Sequence, residues 1–199
     1  MTSKLIVNSI RHTGASADAI TMDASGNVTF PANATCSGTA TGFGGITYAD
    51  SWRVTADISA AAGSNDVTAN WERDDNNFEL IGTGLSHSSG VFGFQETGKF
   101  LIRNRFVAYQ SSTRRYVGVQ LLLSTNGSGG SFSTLIESYD AINASGQNAF
   151  CAGGGQKIID ATTTDFYFKF RTVVIDTTIF DCNTDQNRFC FDVIKLGDT

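Results

Sequence analysis

The chain has 199 residues, a net charge of −5, 41% hydrophobic residues, 21 glycines, 15 phenylalanines and a single proline. At about 150 residues per domain the length allows one domain with an appendage. The acidic balance, with no basic stripe, speaks against nucleic acid as a partner, and no run approaches the roughly 18 apolar residues of a membrane span.

The opening residues, Met1 to Val7, contain no apolar run long enough for a signal peptide, so folding in a cytoplasm is expected. Residues 4–10 read as a short strand. Residues 19–22 and 28–30 alternate on either side of Asp23-Ala24-Ser25-Gly26-Asn27, which is a hairpin signal. Pro31 then ends the second strand. The large apolar residues of this stretch are Leu5, Ile6, Val7, Ile10, Ile20, Met22, Val28 and Phe30. They are too few to order it alone. These eight are therefore the expected docking residues, by which the segment orders against a larger assembly or copies of itself. Residues 33–45 are a small-residue linker. The expected organisation is a docking segment and linker over 1–45 and one domain over 46–199.

From Ile46 onward, short apolar runs alternate with turn clusters. Strands are predicted at 52–55, 77–81, 90–95, 98–109, 115–124, 134–139, 148–151, 156–159, 166–174 and 188–196. Residues 57–62 are mildly helical and read as a turn or loop. Strands at this spacing point to a sandwich or barrel, because Gly, Thr and Asn fill helix interiors poorly. Two strands alternate cleanly. Phe166, Phe168 and Phe170 share one face, as do Phe189, Phe191 and Val193, and both rows belong on the core side.

Little in the chain reads as reactive chemistry, and no enzyme is expected. His87 lies among Ser86, Ser88 and Ser89, and is read as a polar loop residue rather than a base. Asp74/Asp75 and Glu137/Asp140 are paired carboxylates, but no groove-forming repeat accompanies them. The acidic loops 74–77 and 181–185 make calcium the one cofactor to consider. Turn chemistry explains them equally well, and the expectation is no cofactor. Cys36, Cys151, Cys182 and Cys190 are expected as free thiols in a reducing compartment. Arg103, Arg105, Arg114 and Arg115 form the local basic cluster. Arg103 and Arg105 share a strand face and are expected to pair with acidic residues across the sheet or on another subunit.

Residues 89–102, in which Phe94, Gly98 and Phe100 mark a strand end, a turn glycine and an aromatic-led next strand, resemble the C1q/TNF-like jelly roll. Gln95 and Thr97 stand where that family's turn is usually proline-rich. Residues 116–123, 160–170 and 189–196 follow in the family's order, so the resemblance spans about 70–199. Residues 4–10 and 19–31 resemble the start of tailed-phage fibre and virion proteins, especially those of marine phages. Together the resemblances imply an all-β protein: a jelly-roll β-sandwich with a short N-terminal β-hairpin docking segment. They also imply a homotrimer, located in a virion assembled in the host cytoplasm. Its role would be that of a tail fibre or spike mediating attachment by binding. Its partners would be other phage virion proteins through the N-terminal segment, and a host surface glycan or protein. A capsid decoration protein and a glycan-degrading fibre domain are the alternatives implied by the same pattern.

Overall fold

The computed structural model describes residues 7–30, 45–76, 78 and 80–199, with Ser145 described by its backbone alone. Leu5, Ile6, Pro31, Cys36 and most of the 33–45 linker lie outside the described residues. The chain divides into two compact units, Met1–Phe43 and Gly44–Thr199.

In the first unit, β1 (Ser9–Ile10), β2 (Ile20–Met22) and β3 (Val28–Thr29) form a three-stranded antiparallel sheet. The β2–β3 turn is built on Asp23. Its Oδ1 accepts the Ser25 and Asn27 N–H groups at 2.9 Å each, and its Oδ2 accepts the Asn27 side-chain amide at 2.7 Å. These bonds from Asn27 hold the Asp23 carboxyl below the usual carboxylate range. Gly26 supplies the positive φ of 86° that the turn requires.

Among its described residues the second unit carries eleven strands. The short ones come first: β4 (Ala49–Val54), β5 (Ile58–Ala60), β6 (Gly63–Asp66), β7 (Trp71–Arg73), β8 (Ser86–Ser88) and β9 (Val91–Gly93). Then follow β10 (Gly98–Ser124), β11 (Ser133–Ala161), β12 (Tyr167–Val174), β13 (Thr178–Phe180) and β14 (Cys190–Gly197). All are joined in one hydrogen-bonded sheet of 11 strands, and that sheet folds over on itself. The first half of β10 pairs with β14 over Lys99–Arg105, and the second half pairs with β12 over Val117–Ser124. Yet the rings of β12 and β14 pack against each other. Phe170 and Phe191 have centroids 5.0 Å apart, and Phe168 and Phe191 5.4 Å. Two strands hydrogen-bonded to opposite ends of one long strand can touch only if that strand bends between them.

The bend is written in the parity of β10. Phe100, Ile102, Phe106 and Ala108 are buried at even positions, and Val117, Val119 and Leu121 at odd ones. Side chains alternate with a period of two, so extra residues must intervene to change parity. The register against β11 shifts between Gln110 and Ser112, again to Arg114, and again to Val117. β11 runs alongside through both layers. The result is a jelly-roll β-sandwich. One layer holds β7, β4, β14, the first half of β10 and the second half of β11. The other holds β8, β9, β6, β12 and the remaining halves. Nine phenylalanines fill the space between, all at 0% exposure. Trp71 sits among Phe92, Phe170, Phe189 and Phe191, and its Nε1 donates to the Val67 carbonyl at 2.9 Å. Each fully buried phenylalanine contributes about 1.5–3 kcal/mol.

Several predicted boundaries change. The strands expected at 98–109 and 115–124 are one strand. So are those at 134–139, 148–151 and 156–159, because the bulges carry the ladder through the polar stretches instead of ending it. The expected loop at 57–62 contains β5 and leads into β6, which pair with β13 and β12. Of the strand expected at 77–81, Ile81 alone pairs, in an isolated bridge with Ala49, and residues 77 and 79 lie outside the described residues. The Phe168/Phe170 and Phe189/Phe191/Val193 rows are buried as expected, with Phe166 half-buried against them.

Candidate functional site

The alternation that buries one face of β10, β11 and β14 turns the other face out. Leu101 pairs with Ile158 of β11 on one side and Ile194 of β14 on the other, and Leu196 lies two residues further along. Ile158 and Leu196 are each 55% exposed, with Leu101 and Ile194 half-buried beside them. The next row is polar. Arg103 Nη2 contacts Asp192 Oδ2 at 2.7 Å, and Ser51 donates to Asp192 Oδ1 at 2.9 Å. Beyond it Arg105 faces Cys190 across the ladder. A hollow of about 450 Å³ opens there, lined by Arg103, Asn104, Arg105, Asn187, Cys190 and Asp192. At the far end Tyr109 and Phe150 pair with ring centroids 5.4 Å apart, and Phe150 is 62% exposed. This outer face is thus apolar at both ends with a charged band between. Apolar residues grouped in this way on an outer face make it the candidate contact surface.

Buried charge braces the same layer. Arg53 of β4 is fully buried. It donates to Asp74 Oδ1 at 2.7 Å and to Glu72 Oε1 at 2.6 Å, and also reaches Asp75. Asp74 Oδ2 takes the Asn187 amide at 2.8 Å. Asp50, also buried, accepts Arg73 Nε at 2.8 Å and the Leu85 N–H at 2.7 Å. The Arg73 guanidinium lies 4.7 Å from the centre of the Trp52 ring. In the second acidic loop, Arg188 closes on Asp181, at 2.6 Å from Oδ2. Among the described residues, no three His, Cys, Asp or Glu side chains converge as metal ligands.

The other reactive-looking groups are occupied or silenced. His87 Nε2 accepts the Gly90 N–H at 3.1 Å, and the ring stacks on Phe92 at 4.6 Å. Burial lowers its pKa, so the ring is neutral at neutral pH. The cleft around it, about 420 Å³, is lined by Ser86, His87, Ser88, Val91, Ser128 and Tyr167, with no carboxylate among them. Glu137 pairs with Gln120 and Asp140 with Val117, so these two carboxylates leave β11 on opposite faces. Burial pushes the thiol of Cys151 up to about 11 and those of Cys182 and Cys190 to about 12. All three are free thiols, and all three are protonated at neutral pH.

Among the expected docking residues, Ile10, Val28 and Phe30 are exposed and Val7, Ile20 and Met22 are half-buried. Leu5 and Ile6 lie outside the described residues. The expected basic cluster does not stay together. Arg103 pairs with Asp192, whereas Arg114 is buried and donates to the Thr177 carbonyl at 3.0 Å and Ser112 Oγ at 2.8 Å. Sequence reading missed the Leu101–Ile158–Ile194–Leu196 patch. Its signal was present: once 189, 191 and 193 face inward, 194 and 196 must face out.

No family model matches the sequence, and no curated protein matches it. Solved structures do match the fold. Eiger TNF from S. frugiperda superposes with a TM-score of 0.58 at 12% identity, covering 77% of this chain and 95% of that one. Murine APRIL at pH 5.0 gives 0.56 at 11% identity, covering 75% of this chain and 98% of that one. The sandwich is therefore a TNF-like jelly roll.

Proposed function

We propose that the chain is a non-enzymatic attachment protein working as a homotrimer, a fibre or spike of a phage virion. Residues 1–45 dock to other virion proteins and the sandwich projects outward to bind a host surface. The observation that carries this reading is the apolar patch of Leu101, Ile158, Ile194 and Leu196 on an outer sheet face. A second copy covers it, with the Arg103–Asp192 band setting the register of the contact. The trimeric state is supported by the C1q/TNF-like resemblance, and the virion location by the resemblance of residues 4–10 and 19–31 to phage fibre proteins. Exposed Ile10, Val28 and Phe30 support a docking role for the first unit.

Light scattering on the full chain tests the assembly. The expected mass is three times the 21.2 kDa chain, and a clean monomer at micromolar concentration overturns the trimer. Imaging labelled chain on virions tests the location. Label on the tail supports a fibre or spike, and label across the capsid shell replaces it with a decoration protein.

A further inference from the structure

The outer face of the opposite layer carries a different kind of surface. Gly118 of β10 pairs with Tyr139 of β11 on one side and Val173 of β12 on the other. A Cβ at Gly118 would fall 2.2 Å from a carbon of the Tyr139 ring, so the ring lies down on the sheet where the glycine leaves room. Tyr116 stands beside it, with centroids 6.1 Å apart and planes at 88°. The two rings are 39% and 45% exposed. With Val173 they line an open hollow of about 420 Å³.

One step along the strands, the ladder places Glu137, Gln120 and Arg171 in a row beside the rings. Gln120 Nε2 donates to Glu137 Oε1 at 2.7 Å and to Tyr139 Oη at 3.1 Å. Arg171 Nε is taken by Asp66 Oδ1 at 2.6 Å. Gln120 uses its amide nitrogen in these bonds, which leaves its carbonyl oxygen, the second Glu137 oxygen and the Tyr139 hydroxyl proton for a ligand.

We propose that Tyr116, Gly118 and Tyr139 form a shelf for one ring of a neutral saccharide. The C–H face of the sugar stacks on the Tyr139 ring where it lies over Gly118, the near-perpendicular Tyr116 ring stands as a wall at its side, and its hydroxyls bond the Gln120–Glu137 edge. The chemistry of the site selects this ligand. A purely apolar ligand would leave the polar row unsatisfied beside it. An added peptide strand needs a free sheet edge, and β10 is already paired on both sides here. An anionic ligand would meet the Glu137 carboxylate. The inference deepens the attachment reading and rests on it for biological meaning. The shelf itself lies within one chain, on the layer facing away from the patch assigned to subunit contact.

Saturation-transfer NMR on the full chain tests it, with cellotriose, maltotriose and triacetylchitotriose at millimolar concentration as probes. The expected result is saturation reaching the ring protons of at least one sugar. Affinity should fall roughly tenfold or more in Tyr116→Ala and in Tyr139→Ala, with only a few-fold loss in Tyr139→Phe. Thermal melts confirm that each variant is folded. The shelf is overturned if none of the three sugars receives saturation, or if the signal survives in the Tyr116→Ala/Tyr139→Ala double variant. A trimer with no sugar signal removes the shelf alone. A folded monomeric Leu101→Glu/Ile158→Glu variant that loses the signal overturns the shelf as a site within one chain.

Discussion

In the sandwich and in the small N-terminal unit alike, strands bring apolar residues to one side, but the two units treat them differently. In Gly44–Thr199 the Phe168/Phe170 row of β12 meets the Phe189/Phe191 row near and within β14, and both fall to zero exposure. Among the described residues of Met1–Phe43 the strands are two or three residues long and form a single sheet, and Ile10, Val28 and Phe30 stay exposed. Alternation decides which residues share a face. Burial needs a second layer, and three strands of this length do not supply one. The first unit is shaped by turn hydrogen bonds at Asp23, the second by its core.

This contrast can be broken by substitution. The largest effect is expected for Phe191→Ala, which should cost about 4 kcal/mol by opening a cavity between the layers. Val28→Ala in the first unit should change stability by no more than about 0.5 kcal/mol. Equal losses in urea unfolding would erase the contrast. Arg53→Ala should cost about 3 kcal/mol, since it leaves Asp74 buried beside an empty site. A Leu101→Glu/Ile158→Glu variant should keep its fold and lose the proposed trimer, seen as a drop in mass by light scattering. A trimer of unchanged mass would move the interface elsewhere.

Smaller effects sharpen the same comparison. His87 is half-buried, and desolvation holds its pKa below the ordinary value. As pH falls through about 6.5 the unfolded chain takes up a proton that the folded chain still refuses, so stability falls. The contribution is complete above that pH and is lost on the way down to the folded pKa. His87→Gln, which does not titrate, should flatten the decline in melting temperature between about pH 7 and about pH 5. An unchanged slope would assign the decline to other groups. In the first unit, Asp23→Ala should speed amide exchange at Ser25 and Asn27 and leave the exchange of β12 and β14 untouched.

Much of the sandwich was legible because its signals are local. The phenylalanines at 168, 170, 189 and 191 announce their faces by spacing alone, and Asp23 and Gly26 announce the turn between β2 and β3. The short strands β5, β6, β8 and β13 carried no such mark. Ser86-His87-Ser88 and Gly63 to Asp66 have the composition of loops. They are strands because β9 and β12 offer them backbone partners. β10 and β11 were read as fragments because their polar middles look like turns, whereas bulges carry the ladder through them.

The two candidate surfaces were the least legible. Leu101, Ile158 and Ile194 are far apart along the chain, as are Gly118, Tyr139 and Val173, and the register of β10 against its neighbours makes each set contiguous. The sequence by itself determined an all-β chain, the inward faces of its best strands, and a glycine-built turn in the N-terminal segment. Tertiary structure alone decided where β10 bends, which loops become strands, and which outward residues form a patch. The physical reason is range. Side-chain alternation repeats every two residues and can be read locally, whereas strand register is set by hydrogen bonds between segments that meet only when the sheet closes.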